Sequence, residues 1–160
     1  MRYHLFNETL NDSNRNFIIS GEPSNIENYI NILNKNSINL VINLTDINYD
    51  LSKENKLKNV NIDYLHFPLI DGHCLSDDKI KNLLNFLNRY NSIAFHCVAG
   101  LGRAPLVLGV CLILLYNYKP LDVIEKIRKK ESKALNTIQI NYLMNFKRKK
   151  YISDNNCIIC

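Results

Sequence analysis

Short apolar runs alternate with amphipathic stretches along this chain, and the alternation predicts an α/β fold. Four runs rich in β-branched and aromatic residues have the character of strands, at 17–19, 38–44, 62–67 and 93–95. Several are apolar at consecutive positions, as in a sheet covered by helices on both sides. The pattern therefore predicts one α/β domain, with a central, mostly parallel sheet flanked by helices on both faces.

Helical patterns separate these strands. Residues 24–27 have the sequence of a capping box that begins at Ser24. Ser76 is predicted to cap a second helix, with apolar side chains at helical spacing along one face. The segment 103–116 is apolar all round, so it should be the buried central helix.

Two further helices are expected in the C-terminal part of the chain. Pro120 can occupy the first turn of one of them, where the missing amide hydrogen costs nothing. The other should begin near Asn136, with Ile140, Leu143 and Met144 on its inner side.

Composition is that of a soluble globular domain, with 160 residues, 46% hydrophobic and 22% charged. The net charge of +5 suits anionic substrates or an anionic membrane surface. The chain has no stretch in which basic and aromatic residues alternate, so a nucleic-acid partner is not expected. Five scattered cysteines without a signal peptide favour a reducing compartment. Arg2 excludes N-myristoylation, and the longest apolar stretch is too short to span a membrane.

The segment 93–104 holds the candidate chemistry. A strand ends, Cys97 follows, and a five-residue loop leads to Arg103 at the start of the buried helix. A ring of backbone amides before a helix N-terminus stabilises a thiolate at Cys97. The same amides, from Val98, Ala99, Gly100, Leu101 and Gly102, can bind phosphate oxygens.

The other residues of this segment fit the same chemistry. Gly100 and Gly102 permit a tight path and close approach of the backbone, and Arg103 offers a planar fork for bidentate phosphate binding. The alternative is a structural thiol at Cys97 and a surface charge at Arg103. A nucleotide-binding loop of the G-x-x-x-x-G-K-[ST] kind is excluded because its lysine and hydroxyl are missing.

The loop His-Cys-Val-Ala-Gly-Leu-Gly-Arg-Ala-Pro resembles the active-site loop of the phosphatases of regenerating liver, the type IVA protein tyrosine phosphatases. Weaker matches occur in order over nearly the whole chain, at 49–50, 67–68, 71–72, 136–139 and the C-terminal cysteine box. The resemblance implies a dual-specificity-like phosphatase domain over residues 1–151 and a polar tail with a prenylation box over 152–160. It implies hydrolysis of phosphotyrosyl or other phosphomonoesters through a phosphocysteine.

Asp71 corresponds to the family's general acid, which protonates the leaving oxygen. The alternative is an ordinary turn aspartate before Gly72. The family has two adjacent acidic residues and an earlier tryptophan there, whereas this chain has Ile70 and, at the tryptophan position, His66 or Phe67.

Three neighbouring residues are expected to support the reaction. Ala104 stands where most cysteine phosphatases have a hydroxyl that stabilises the departing thiolate, so phosphocysteine hydrolysis should be slow. His96 is expected to hydrogen-bond backbone near Cys97, with a plain core histidine as the alternative. Gln139 can position the hydrolytic water or cap a helix together with Asn136.

The remaining cysteines have different expected roles. Cys111 should pack in the buried helix. Cys74 is a candidate for a reversible disulfide with Cys97. The family's regulatory cysteine corresponds to Thr45 here, so that redox switch is not transferred.

The last four residues, Cys157 to Cys160, have the C-a-a-X form, and Lys147, Arg148, Lys149 and Lys150 lie upstream. Cys157 is therefore a predicted prenylation site, with the basic run as second membrane signal. A C-x-x-C metal or redox pair and an unmodified tail are the alternatives. The expected location is the cytoplasmic face of membranes, with a cytosolic pool.

Three functions compete for this site. The leading one is a slow, membrane-attached phosphatase without a metal or other cofactor, since the loop and Arg103 neutralise the phosphate charge. The resemblance also implies a binding regulator of a CBS-domain magnesium transporter. Phosphoinositide hydrolysis is disfavoured by the apolar side chains of Val98, Ala99 and Leu101.

Overall fold

The computed structural model describes residues 2–10, 13–47 and 61–152. Its strands are β1 (Tyr3–Leu10), β2 (Ser13–Ser20), β3 (Leu40–Asn43), β4 (Asp63–His66) and β5 (Ile93–His96). Its helices are α1 (Ile26–Lys35), α2 (Asp77–Arg89), α3 (Arg103–Tyr116), α4 (Pro120–Lys130) and α5 (Thr137–Met144), followed by a 3₁₀ turn at Arg148–Lys150. The predicted single α/β domain is confirmed.

The five strands form one sheet in the order β1-β2-β5-β3-β4. All neighbours pair in parallel except β1 and β2, which form an antiparallel ladder from Tyr3 opposite Ser20 to Leu10 opposite Ser13. β5 lies at the centre, so the residue that follows it emerges from the middle of the sheet's carboxyl edge. In open α/β sheets this edge is where ligands bind.

Helices cover both faces of the sheet, as predicted. On one face α1 packs through Tyr29 and Leu33 against a cluster that includes Ala94 of β5. On the other face Phe95 joins the larger core, which contains the fully apolar helix α3. Ala94 and Phe95 therefore pack into the cores on opposite faces of the sheet, because successive side chains of a strand point to opposite faces.

Two details of the helices differ from expectation. Asn25, and not Ser24, caps α1, since its side chain accepts a hydrogen bond of 2.9 Å from the backbone amide of Asn28. Met144 is 47% exposed, whereas Leu143 is fully buried. Successive helix residues are turned by about 100°, so the short helix α5 buries the stripe through Leu143 and leaves Met144 outside.

Other expected helix signals are present. Ser76 accepts a bond from the amide of Lys79 at the start of α2, and Pro120 occupies the first turn of α4. Among the described residues, no helix combines the length and apolar character that crossing a membrane requires.

Candidate active site

Cys97 directly follows β5 and begins a loop that is joined to the end of β2. Its backbone amide donates a 3.2 Å hydrogen bond to the carbonyl of Ser20, and the amide of Glu22 donates a 3.0 Å bond to the carbonyl of Val98. The Cys97 residue is only 2% exposed, and Val98 beside it is 58% exposed. The loop therefore starts from a fixed position at the centre of the sheet edge.

Gly100 explains how the loop turns so closely. Its φ of +75° lies in the left-handed region, and a Cβ atom there would stand 2.6 Å from the backbone nitrogen of Gly21. Gly102 needs no special φ, but a Cβ there would approach the side-chain nitrogen of Gln139 to 3.4 Å. The predicted tight path agrees with the contacts of Gly100, whereas the 3.4 Å contact at Gly102 is an ordinary van der Waals distance.

Arg103 opens α3 and is 4% exposed. Its Nη1 donates to the carbonyl oxygens of Leu44, at 3.3 Å, and Leu69, at 3.4 Å. Its Nε lies 3.2 Å from Oδ1 of Asp71, whose side chain is 78% exposed. This contact is an ion pair without the alignment of a hydrogen bond. Two main-chain oxygens therefore hold the Arg103 guanidinium in place, and the candidate acid Asp71 lies beside it.

The segment that carries Asp71 is fixed at both ends. Leu69 donates through its amide to the carbonyl of Leu44, at 3.2 Å. After Asp71, Gly72 has a φ of +72° and its carbonyl accepts a 3.1 Å bond from the side-chain amide of Asn136. Asn136 was expected only as a helix start, because a contact between distant segments leaves no pattern in the sequence.

A cleft of about 260 Å³ brings together Asp71, part of the 98–102 loop and Gln139, whereas Cys97 and Arg103 are not among the residues that line it. Its walls come from the segment that carries Asp71, from the loop at residues 98–102 (the phosphate loop) and from the start of α5 with the residues before it. The lining residues are Asp71, Gly72, Ala99, Leu101, Gly102, Lys133, Leu135, Asn136 and Gln139. Lys133 was not among the predicted site residues, because it stands in a lysine-rich stretch without a distinguishing pattern.

Gln139 has the capping role that was one of its two alternatives, and its role in positioning water stays a prediction. Its Oε1 accepts from the amide of Asn136, at 3.2 Å, while Asn136 accepts in turn from the amide of Gln139, which completes a capping box. Gln139 is fully buried, and its Nε2 has no hydrogen-bond partner among the described residues. One end caps α5, and the other is a donor on the wall of the cleft.

Comparison with known proteins identifies the family. A family model described as a polymorphic toxin system DSP-PTPase phosphatase matches residues 19–116. Protein tyrosine phosphatase type IVA A of Dictyostelium discoideum is 32% identical over 146 residues, which cover 86% of this chain and 86% of the relative. The chain belongs to the type IVA protein tyrosine phosphatases. It is an enzyme, a hydrolase of phosphomonoesters.

Further relatives agree with this type IVA assignment. The type IVA 3 phosphatase of Mus musculus is 32% identical over 142 residues, covering 84% of this chain and 80% of the relative. A solved protein tyrosine phosphatase from Leishmania major superposes with a TM-score of 0.77 at 27% identity, covering 92% of this chain and 100% of that one. The resemblance read from the active-site loop is confirmed.

In this type IVA phosphatase, two residues flanking the loop are deeply buried. Ala104 is fully buried in the first turn of α3 and offers no hydroxyl. The His96 ring meets the Tyr29 ring edge-on, at a centroid distance of 6.3 Å. Burial lowers the pKa of His96 to about 4, so its imidazole is neutral at physiological pH. Its hydrogen bond to backbone near Cys97 stays a prediction.

Of the cysteines that the structure describes, Cys74, Cys97 and Cys111 are all free thiols. Cys74 lines a second cleft of about 150 Å³, and its sulfur lies 3.9 Å from the carbonyl of Ile138. Burial raises the pKa of both Cys74 and Cys111. The Cys74–Cys97 disulfide stays a prediction. At the position of the family's regulatory cysteine, the Thr45 hydroxyl is buried and donates to Asn43.

Proposed function

We propose that this type IVA phosphatase removes phosphate from protein side chains, phosphotyrosine foremost, through a phosphocysteine on Cys97. The observation that supports this most is the convergence of three elements. Cys97 follows the central strand, the loop after it leads to Arg103 at the start of α3, and the Asp71 carboxylate lies 3.2 Å from the Arg103 guanidinium. Each group matches one requirement of phosphoryl transfer.

In the first step the Cys97 thiolate attacks phosphorus, and the bond from phosphorus to the leaving oxygen breaks. The amides of residues 98–102 and the Arg103 guanidinium bind the phosphoryl oxygens. Asp71, as the carboxylic acid, gives its proton to the leaving oxygen. The 78% exposure of the Asp71 side chain suits this task, because a leaving group on a protein must remain outside the pocket.

In the second step water attacks the phosphocysteine, the phosphorus–sulfur bond breaks and the thiolate returns. The Asp71 carboxylate accepts the proton of that water, and the Gln139 amide is proposed to orient it. Ala104 cannot donate a hydrogen bond to the returning thiolate. The phosphoenzyme therefore accumulates, and its hydrolysis limits turnover.

A thiol-specific comparison tests this proposal. Hydrolysis of an aryl phosphate is measured for the wild type, Cys97→Ser and Cys74→Ser. We expect Cys97→Ser to lose turnover and Cys74→Ser to retain it, because Cys74 opens onto the other cleft. Full activity of Cys97→Ser would refute a thiolate nucleophile at this position.

The same proposal includes membrane attachment on the cytoplasmic face, with a cytosolic pool. Cys157 lies outside the described residues and is proposed to be prenylated and then carboxyl-methylated. Of the basic run, Arg148 donates to the carbonyl of Leu114 at 2.9 Å and Lys150 pairs with Asp77. Both bonds are internal to the domain. Lys147 is exposed, and its charge is proposed to bind anionic lipids.

Membrane fractionation from cells separates these two signals. Cys157→Ser should move the protein to the soluble fraction. Lys147→Gln should weaken attachment without abolishing it, since one basic residue near an anionic surface contributes about 1 kcal/mol. Unchanged fractionation of Cys157→Ser would contradict prenylation there.

A binding role is the second candidate. Two large apolar side chains are exposed beside the site, Ile70 at 70% and Val98 at 58%. These exposed apolar side chains, next to Asp71 and Cys97 in sequence, suit contact with a protein partner. The family resemblance implies that this partner is a CBS-domain magnesium transporter. Retention of this binding by Asp71→Ala, with turnover lost, would favour docking. Phosphoinositide hydrolysis remains the weaker alternative, because the loop side chains are apolar.

A further inference from the structure

The active-site cleft has a second cationic position at Lys133. We propose that this lysine selects substrates that carry another anionic group, a carboxylate or a second phosphate, next to the phosphorylated residue. This inference rests on the proposed function, since it names the substrate class that the same site prefers.

The cleft itself connects the two positions. Its walls run from the phosphate loop, at Ala99 and Gly102, to the segment before α5 that carries Lys133. Asp71 lies on the same cleft and Arg103 lies behind Asp71. A substrate whose phosphate occupies the loop therefore has its neighbouring residues along a wall that includes Lys133.

The backbone next to Lys133 is fixed relative to the phosphate loop. The amide of Leu135 donates a 2.8 Å hydrogen bond to the carbonyl of Leu101. Arg128 donates from Nε to the carbonyl of Ala134, at 3.0 Å, and from Nη2 to the carbonyl of Leu135, at 3.1 Å. Leu135 also has a φ of +66°, a conformation that a leucine keeps only where its surroundings enforce it. These contacts hold the backbone beside Lys133 in a fixed turn.

Among the described residues, no carboxylate forms an ion pair with the ammonium group of Lys133. The nearest acidic residue in sequence, Glu131, is bonded to Arg2 at 2.9 Å and lies 3.4 Å from His4. Its carboxylate also accepts a 3.4 Å hydrogen bond from the backbone amide of Lys133, but it does not pair with the Lys133 ammonium group. The other carboxylate on the cleft, Asp71, lies beside Arg103. Within the described part of the chain, Lys133 forms no ion pair of its own.

A second observation also indicates a ligand in this part of the cleft. The Nε2 donor of the fully buried Gln139 is without a hydrogen-bond partner among the described residues. A buried donor that makes no hydrogen bond costs free energy, so a ligand or a water molecule is expected to accept a hydrogen bond from this Nε2. The apolar loop residues Val98, Ala99 and Leu101 contribute no charge of their own. Lys133 is therefore the side chain that can discriminate between neutral and acidic surroundings of the phosphate.

Matched phosphopeptides test this selection. Three phosphotyrosyl peptides carry glutamate, phosphoserine or glutamine on both sides of the phosphotyrosine. An exposed ion pair contributes about 0.2–1 kcal/mol, so kcat/KM should be about two- to fivefold higher for the glutamate peptide than for the glutamine peptide. The phosphoserine peptide distinguishes phosphate from carboxylate as the preferred group. Added salt should reduce either preference.

Lys133→Gln should abolish the preference, and Lys129→Gln is the control. Lys129 is an exposed lysine of α4 that does not line the cleft. An aryl phosphate, which has no flanking residues, should be hydrolysed equally by the wild type and Lys129→Gln. A wild type without preference, a preference that survives in Lys133→Gln, or an equal loss in Lys129→Gln would each overturn the inference.

Peptide binding to Cys97→Ser separates this inference from the proposed function. If the wild type does not hydrolyse the aryl phosphate, the proposed function fails. The selection by Lys133 is then decided by affinity, comparing Cys97→Ser with Cys97→Ser/Lys133→Gln. Tighter binding of an acidic peptide that depends on Lys133 would uphold the inference, and equal binding of all three peptides would reject it.

Discussion

The side-chain amide of Asn136 donates a 3.1 Å hydrogen bond to the carbonyl oxygen of Gly72, the residue after Asp71. The other end of the same amide accepts from the backbone of Gln139, at 2.9 Å, and caps α5. One side chain thus joins the segment of the general acid to the helix that carries Gln139. We infer that it keeps Asp71 in position over the cleft.

Asn136→Asp removes the donor and keeps the cap, because aspartate caps helices as well as asparagine does. The acid segment then loses one hydrogen bond, so the acid-dependent step should slow about two- to tenfold. In single-turnover measurements an alkyl phosphate, which needs the acid, should be slowed. A p-nitrophenyl phosphate, which needs it little, should not. Equal effects on both substrates would show that Asn136 does not act through Asp71.

Ala104→Ser should increase turnover. Ala104 lies in the first turn of α3, where most cysteine phosphatases have a hydroxyl that donates to the departing sulfur. The expected signature is a smaller pre-steady-state burst and faster steady-state release of phosphate. A burst of unchanged size with slower turnover would mean that hydrolysis of the phosphocysteine is limited by another group.

Gly100→Ala and Gly72→Ala separate steric overlap from backbone strain. Both glycines have positive φ, +75° and +72°, and an alanine there costs roughly 1–3 kcal/mol. At Gly100 the new Cβ would also stand 2.6 Å from the backbone of Gly21, whereas at Gly72 its nearest neighbour is 3.5 Å away. Urea unfolding should show a larger loss for Gly100→Ala, by about 1 kcal/mol or more. Equal losses would contradict the close approach.

His96 should make the fold less stable in acid. Burial lowers its pKa from 6.5 to about 4, so between these values the unfolded chain binds a proton that the folded chain does not. The free energy of unfolding should fall as the pH drops through this window, by about 3 kcal/mol for this group, and the contribution should stop changing below pH 4. His96→Gln should show a shallower fall.

The control for this experiment is His73→Gln, because His73 is exposed. This variant keeps the buried His96, so the fall that His96 causes in acid should remain. If His96→Gln and the wild type fall in parallel, His96 takes up its proton in the folded state at an ordinary pH.

The parts of the fold that the sequence predicted are those with a local signal. The apolar run of α3, the caps at Ser76 and Asn136, and the cysteine loop each depend on residues close together in the chain. Strand β1 was missed, since polar residues such as Asn7 and Glu8 interrupt it and its order comes from the ladder with β2. The cap at Asn25 was misplaced by one residue because both Ser24 and Asn25 are good caps.

The site was predictable to the same extent. Cys97 and Arg103 share one short motif, and Asp71 followed from the resemblance. The contacts of Asn136 with Gly72 and the place of Lys133 on the cleft join segments far apart in the chain. Nothing in a lysine-rich stretch distinguishes the lysine that lines a cleft from those that face solvent.

Mass spectrometry of the intact protein, incubated with a phosphomonoester and quenched in acid, tests the central claim most directly. We predict that the protein gains one phosphoryl group, that peptide mapping places it on Cys97, and that Cys97→Ser does not acquire it. Turnover with no phosphate ever attached to Cys97, or a phosphoryl group on a different residue, would contradict the account.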